Sequence, residues 1–154
     1  MSTEQERRET YEQTKYVLSY ICEDNAEAKE YLELLLRCLR IIDDVHDEDY
    51  PVSKEDLLFV FEALFVRLPL NKFFVVHRDF LLSQHMVTWN TWEISNLLRS
   101  QPEDFHRMYG QVLSGYIHEL LPLVAFLIGG YHKMKEVNGL IRTLYQDKLE
   151  DEHG

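Results

Sequence analysis

The chain has 154 residues, of which 45% are hydrophobic and 28% charged, a composition typical of one globular domain rather than of a disordered chain. Its 27 acids outnumber its 16 Lys and Arg residues, and the net charge of -11 disfavours nucleic-acid binding because such a surface repels phosphates. Only six glycines and four prolines are present, which argues against a turn-rich β fold and for helices.

Six helices are predicted in chain order, and most begin or end at a recognisable residue pattern. Capping boxes open the first three helices at Thr3, Asp24 and Ser53, and Asn71 can cap the fourth. The pair Gly129-Gly130 ends the fifth. The predicted helices cover about residues 3–22, 24–49, 53–68, 72–99, 101–128 and 131–150.

The third helix carries the broadest apolar face, which predicts a central, well-buried element. Its apolar residues are Leu57, Leu58, Val60, Phe61, Leu64 and Phe65. Pro122 predicts a kink inside the fifth helix. Short connections between the helices predict an all-α fold, a single up-and-down bundle in which residues 1–154 form one helical domain.

The acidic stretch that ends the second helix conflicts with the helix pattern around it. With Leu39 at the centre of the predicted core stripe, Asp43 and His46 lie within about 40° of that centre and Asp47 about 80° away. Asp44 is predicted to point away from the core. An unpaired buried carboxylate is very costly, so either a cation or hydrogen-bond donors must satisfy these acids. The alternative is a solvated acidic turn, and the stretch alone leaves both open.

A metal site would draw on acids from several helices. Glu93 is a second acid within an apolar stripe, which it shares with Leu82, Met86, Trp89 and Leu97. Carboxylate oxygens suit a hard cation such as Mg²⁺ or Mn²⁺. The predicted metal ligands are Asp43, Asp47, Glu93 and Asp147, with Asn90 as a neighbouring polar group that contacts the metal or its substrate.

The same site would need cations that orient a phosphate. Arg37 and Arg40, next to the acidic stretch, are predicted to bind phosphate oxygens, while His46 and Asp44 support the metal ligands. For Arg40 the favoured alternative is an ion pair with Asp44, four residues along the helix.

Asp43-Asp44-Val45-His46-Asp47 resembles the Asp-Asp-x-x-Asp motif of isoprenoid synthases. In that family the first and last acids bind Mg²⁺ and, through it, the substrate diphosphate, so the resemblance implies these roles for Asp43 and Asp47. The layout is also similar to that of the all-α nucleotide pyrophosphohydrolases of the MazG and dimeric dUTPase type, which hold Mg²⁺ with acids on neighbouring helices. The wider pattern resembles small, uncharacterised tailed-phage proteins through residues 43–52, 68–73, 89–93 and 129–130.

Two functional hypotheses follow. The first is a Mg²⁺- or Mn²⁺-dependent enzyme or binder of a diphosphate-bearing small molecule such as a nucleotide. The second is a non-catalytic interaction protein, for example a phage factor whose acidic surface binds a basic host protein. Neither involves nucleic acid or a membrane, and a homo-oligomer is compatible with both. The polar N-terminus, together with Cys22 and Cys38 as expected reduced thiols, predicts a cytoplasmic protein, in the host cytoplasm if the chain is viral.

Overall fold

The computed structural model describes residues 3–144, and every regular element in that range is helical. Six helices have nine residues or more, so the prediction of an all-α fold with about six helices is confirmed. The elements are α1 (Glu4–Cys22), α2 (Ala26–Asp47), α3 (Lys54–Glu62), the short α4 (Lys72–Val76), α5 (Arg78–Arg99), α6 (Asp104–Ser114) and α7 (Leu120–Leu144). A π-helical turn, Ala63–Arg67, and one further turn, Leu68–Leu70, extend α3, and a 3₁₀ segment, Gly115–Glu119, precedes α7.

The chain divides into two compact units, Met1–Val76 and His77–Gly154, called unit 1 and unit 2 below. Unit 1 is built around α2, which contacts α1, α3 and α4. Tyr31 of α2 is fully buried, and its ring centre lies 5.9 Å from that of Phe73 and 6.1 Å from that of Phe74. Burial raises the pKa of the Tyr31 hydroxyl far above its ordinary value. Cys22 and Cys38 are both buried.

A π-helical turn lies between α3 and Asn71, where the chain changes direction. Pro69 has no N–H to donate and its ring crowds the preceding turn, so a regular α-helix cannot run through it. The backbone widens instead, and the N–H of Leu68 donates to the carbonyl of Ala63, five residues earlier. Asn71 then caps α4 as predicted, since its side-chain oxygen accepts from the N–H of Phe74 at 2.9 Å.

The prediction that the third helix is well buried was wrong. No residue of Lys54–Glu62 is buried, and α3 contacts the buried cluster of α2 through Phe59 and Val60. A helix that is covered on one side leaves the rest of a broad apolar face in solvent. The exposed side chains are Leu57 (44%), Leu58 (58%), Phe61 (60%), Leu64 (39%) and Phe65 (75%).

In unit 2, α5 and α6 lie unusually close together because the residues at their contact are small. Thr88 and Ser95 are buried on α5, and Gly110 is buried on α6. A Cβ at Gly110 would lie 2.8 Å from the carbonyl oxygen of Ser95 and 2.9 Å from the amide nitrogen of Arg99. Only glycine permits this approach.

The apolar interior of unit 2 comes largely from α7. Pro122 lies in the first turn of α7, and the 3₁₀ segment Gly115–Glu119 precedes it. The kink at Pro122 itself stays a prediction. Gly130, with φ of 84°, breaks α7, as the Gly-Gly pair predicts. The predicted continuation of the last helix to residue 150 lies outside the described residues. Buried apolar residues of unit 2 are Leu81, Leu120, Leu121, Val124, Ala125, Val137 and Ile141.

One helical stretch, Asp104–Leu144, is long and apolar enough to cross a membrane by length and composition. A single stretch of this kind is weak support for a membrane span, because the core helix of a soluble protein meets the same criterion. Of the most apolar 18-residue window of this stretch, 28% is buried inside the structure. The cytoplasmic location stays a prediction.

Candidate functional site

The buried side of α2 is rotated relative to the predicted stripe. Cys38 lies near its centre and Leu39 is only half-buried, a rotation of about 100°. The rotation brings Asp44 to the buried side, with 8% of its surface exposed, and leaves His46 exposed. The prediction that Asp44 points away from the core was therefore wrong. The consecutive leucines at 34–36 make several stripes of this helix similarly apolar, so periodicity could not select the correct one.

Asp44 is the acid of the stretch whose burial is compensated most fully. Its two carboxylate oxygens accept hydrogen bonds from the guanidinium of Arg7, at 2.7 Å and 3.3 Å. The same guanidinium lies 3.7 Å from the centre of the Tyr50 ring. The ion pair between Arg7 and Asp44 connects α1 with the end of α2. The favoured pairing of Arg40 with Asp44 was wrong, because Arg7 engages both oxygens.

Asp43 and Asp47 are half-buried and lie one turn apart on α2. A carboxylate oxygen of Asp47 lies 2.7 Å from Nδ1 of His46. Glu48 then ends α2 with a left-handed φ of 55°. The two predicted metal ligands of unit 1 therefore share one helix, and His46 adjoins one of them.

Arg37 has partners within unit 1. Its guanidinium lies 3.8 Å from a carboxylate oxygen of Asp56 and 3.8 Å from the centre of the Phe59 ring. Hydrogen bonds from Ser53 lower the pKa of Asp56, and the charge of Arg37 lowers it further. These contacts connect α2 with α3. Binding of phosphate by Arg37 and Arg40 stays a prediction, and Arg40 is exposed.

Glu93 is exposed on α5 in unit 2, and so is Asn90. The prediction that Glu93 lies in a core stripe was wrong, because Leu82, Met86, Trp89 and Leu97 are exposed as well. The buried side of α5 instead comprises Leu81, Thr88 and Ser95, spaced seven residues apart. The small residues Thr88 and Ser95 lie on the side of α5 that packs against Gly110. Because glycine has no side chain, a hydrophobicity pattern does not reveal this contact.

The predicted metal ligands are distributed over the chain. Asp43 and Asp47 belong to unit 1 and Glu93 to unit 2, while Asp147 lies outside the described residues. Among residues 3–144, no three His, Cys, Asp or Glu side chains form a group that could hold a metal ion. The Mg²⁺ or Mn²⁺ site stays a prediction.

Sequence reasoning missed that several apolar surfaces are exposed: the row of Leu82, Met86, Trp89 and Leu97 on α5 described above, and two others. We call the first the α3 face; it comprises Leu57, Leu58, Phe61, Leu64 and Phe65. The second, the α6 face, comprises Phe105, Met108, Tyr109 and Val112. Each contains two aromatic rings four residues apart, stacked with 6.1 Å between ring centres. Contiguous exposed apolar side chains mark interaction sites more often than isolated ones do. Helical periodicity reveals such a face, but only packing decides whether it is covered.

The α3 face overlaps the end of the most acidic part of the chain and continues past it to Phe65, two residues before Arg67. From residue 43 to residue 62 there are eight acids and one lysine, a net charge of -7 with histidine neutral. Two of these acids, Asp44 and Asp56, lie beside the guanidinium groups of Arg7 and Arg37. Glu48, Asp49, Glu55 and Glu62 are exposed. The chain therefore combines exposed apolar side chains with a local excess of negative charge.

Comparison with protein-family models, characterised proteins and solved structures finds no match in any of the three. The resemblances to isoprenoid synthases, to all-α pyrophosphohydrolases and to tailed-phage proteins therefore stay predictions. Any functional conclusion depends on the residues and their geometry.

Proposed function

We propose that this protein is a non-catalytic interaction protein that binds a basic protein partner. The observation that carries the proposal is the α3 face, an exposed apolar surface on which Leu58 lies between the exposed acids Glu55 and Glu62 and which overlaps the end of a segment of net charge -7. A partner that covers this face removes apolar side chains from water, and a partner with positive charge is attracted by the acids around it.

Both contributions have the size that protein binding requires. Complete burial of a fully exposed Leu or Phe side chain contributes about 1.5–3 kcal/mol, and the five side chains of the α3 face, which are 39–75% exposed, each offer about half of that. Part of this gain is lost to the entropy cost of association, so area alone does not set the affinity. The negative charge adds to the association rate and makes it sensitive to salt.

The rival hypothesis is the Mg²⁺- or Mn²⁺-dependent binding of a diphosphate-bearing small molecule. Its support in unit 1 is the half-buried pair Asp43 and Asp47 on α2. Hard cations in proteins take several oxygen ligands, and this pair supplies the carboxylates of one helix only. The α3 face has no role in the rival hypothesis, whereas binding of a partner uses it directly.

One set of measurements separates the two hypotheses. A basic amphipathic peptide of leucine and lysine is titrated into the labelled protein at low and high salt, next to a leucine and glutamate peptide of the same apolar pattern. We expect the basic peptide to bind, to weaken with salt, and to exceed the acidic one by about tenfold or more. Failure of the basic peptide to bind contradicts the proposal.

A melting scan with Mg²⁺ or Mn²⁺ tests the rival, because a ligand that binds only the folded state raises the melting temperature. An interaction protein should melt at the same temperature with and without the metal. A rise that Asp43→Asn abolishes, and that the exposed control Glu33→Gln on α2 retains, would establish the metal site instead.

A further inference from the structure

We infer that the α3 face is the docking site of this protein and that its occupant is an amphipathic helix with Lys or Arg beside its apolar stripe. This inference rests on the proposed function and names its site and the chemistry of its partner. Three observations support it: the shape of the face, the charges around it, and its difference from the α6 face.

The shape of the α3 face matches a helical segment. Leu57, Leu58 and Phe61 lie on α3, where about 100° per residue spreads them over an arc of about 100°. Leu64 and Phe65 continue the face on the π-helical turn. The stacked rings of Phe61 and Phe65 connect the two parts and are 60% and 75% exposed. Helical ligands dock by placing residues spaced three and four apart against such a surface. Large aromatic side chains carry much of the binding energy at protein interfaces.

Exposed acids accompany the apolar face. Leu58 lies three residues after Glu55 and four before Glu62, so this row of α3 alternates apolar and acidic groups at the margin of the face. Glu55 and Glu62 are exposed. A helix that lays apolar residues on Phe61 and Phe65 would bring its flanking side chains close to this margin, where lysine or arginine is favoured.

The same charges disfavour a second copy of the chain as the occupant. A symmetric dimer pairs a surface with itself, so Glu55 and Glu62 of one copy would lie near the same acids of the other. Each copy also carries a net charge of -11. A basic helix is repelled neither by Glu55 and Glu62 nor by the net negative charge of the chain.

The α6 face has fewer exposed acids beside it. Residues 104–114 carry one acid, Asp104, which is paired with Arg107. Residues 54–70 carry three acids, of which Glu55 and Glu62 are exposed, against Lys54 and Arg67. Apolar exposure alone therefore does not distinguish the two faces, whereas the exposed acids beside them do. The α6 face provides a matched control, because its stacked pair Phe105 and Tyr109 has the same spacing as Phe61 and Phe65.

The test measures fluorescence anisotropy of the leucine and lysine peptide with three forms of the full chain. The double variant Phe61→Gln, Phe65→Gln should weaken binding by about tenfold or more, since it removes the aromatic centre of the face. The control Phe105→Gln, Tyr109→Gln should bind within about twofold of the unsubstituted chain. Circular dichroism confirms that both variants remain helical, and glutamine is a good helix former.

Further variants and one further measurement complete the test. Glu55→Gln with Glu62→Gln should weaken binding several-fold at low salt and reduce its salt dependence. If the Phe61, Phe65 variant binds the basic peptide as tightly as the unsubstituted chain does, the α3 face is not the docking site, and the proposed function still stands. Failure of every peptide to bind the unsubstituted chain would overturn the proposed function itself. Sedimentation that shows a dimer, which the Phe61, Phe65 variant dissociates, would overturn the basic helix as occupant.

Discussion

Replacement of Asp44 by alanine should destabilise unit 1 more than any other single change in the acidic stretch. Asp44 accepts both hydrogen bonds from Arg7, and the two side chains are only 11% and 20% exposed. Removal of the carboxylate leaves a guanidinium that is largely shielded from water and has lost its anion. The guanidinium retains its contact with the Tyr50 ring, which offsets a small part of the loss.

The size of the effect follows from the degree of burial. Loss of one partner of a fully buried pair costs about 3–5 kcal/mol, and hydrogen bonds to charged groups contribute about 1.5–3 kcal/mol. Because both side chains keep some contact with water, we expect Asp44→Ala to lower the free energy of unfolding by about 2–3 kcal/mol. Asp44→Asn keeps the shape and one acceptor, so its cost should be about half as large.

Urea unfolding followed by circular dichroism measures this loss, and Glu33→Ala on the exposed side of the same helix is the control. The control should stay within about 0.5 kcal/mol of the unsubstituted chain. A double-mutant cycle with Arg7→Ala isolates the interaction itself. If Asp44→Ala and Glu33→Ala lower the free energy of unfolding equally, or if the coupling energy between Asp44 and Arg7 is near zero, Arg7 does not compensate the burial of Asp44.

Three further predictions follow from particular contacts. Gly110→Ala should destabilise unit 2 by about 2 kcal/mol, because its Cβ would collide with the Ser95 carbonyl, whereas Gly139→Ala, whose Cβ meets no atom within 4 Å, should be neutral or stabilising. Asn71→Ala should cost about 2 kcal/mol, since it removes the cap of α4 and a bond to the start of α2. Burial lowers the pKa of His85 to about 4, below its ordinary 6.5, so the unfolded chain binds its proton first and stability should fall as pH drops through that window.

Each of these has a direct measurement. Urea midpoints compare the two glycine variants, and equal effects at Gly110 and Gly139 would contradict the close approach of α5 and α6. If Asn71→Ala reduces the helicity of α4 without lowering the free energy of unfolding, the hydrogen bond from Asn71 to the start of α2 does not stabilise the fold. An NMR titration that gives His85 an ordinary pKa, or a His85→Gln variant with the same decline between pH 6.5 and 4, would contradict the burial of the imidazole.

Local chemistry in the sequence determined the secondary structure well. Thr3 and Ser53 form the expected capping boxes, Asn71 caps the helix that follows it, and Gly130 interrupts the last long helix. The capping box predicted at Asp24 was wrong, because Asn25 caps α2 by accepting from the N–H of Ala28. These outcomes depend on backbone geometry and on side chains within four residues, so the chain needs no tertiary contact to specify them. Scarce glycine and proline likewise indicated the all-α class.

Only the tertiary structure decided which faces of those helices are buried. The partner of Asp44 lies 37 residues away in α1, and no local pattern specifies such a pairing. The covered side of α5 depends on the absence of a side chain at Gly110, and the exposure of Phe61 depends on how much of α3 its neighbour covers. Periodicity describes one helix at a time, whereas burial is a property of two surfaces in contact. The chain by itself therefore specified its helices and their charges, and packing determined which residues remain available to a partner.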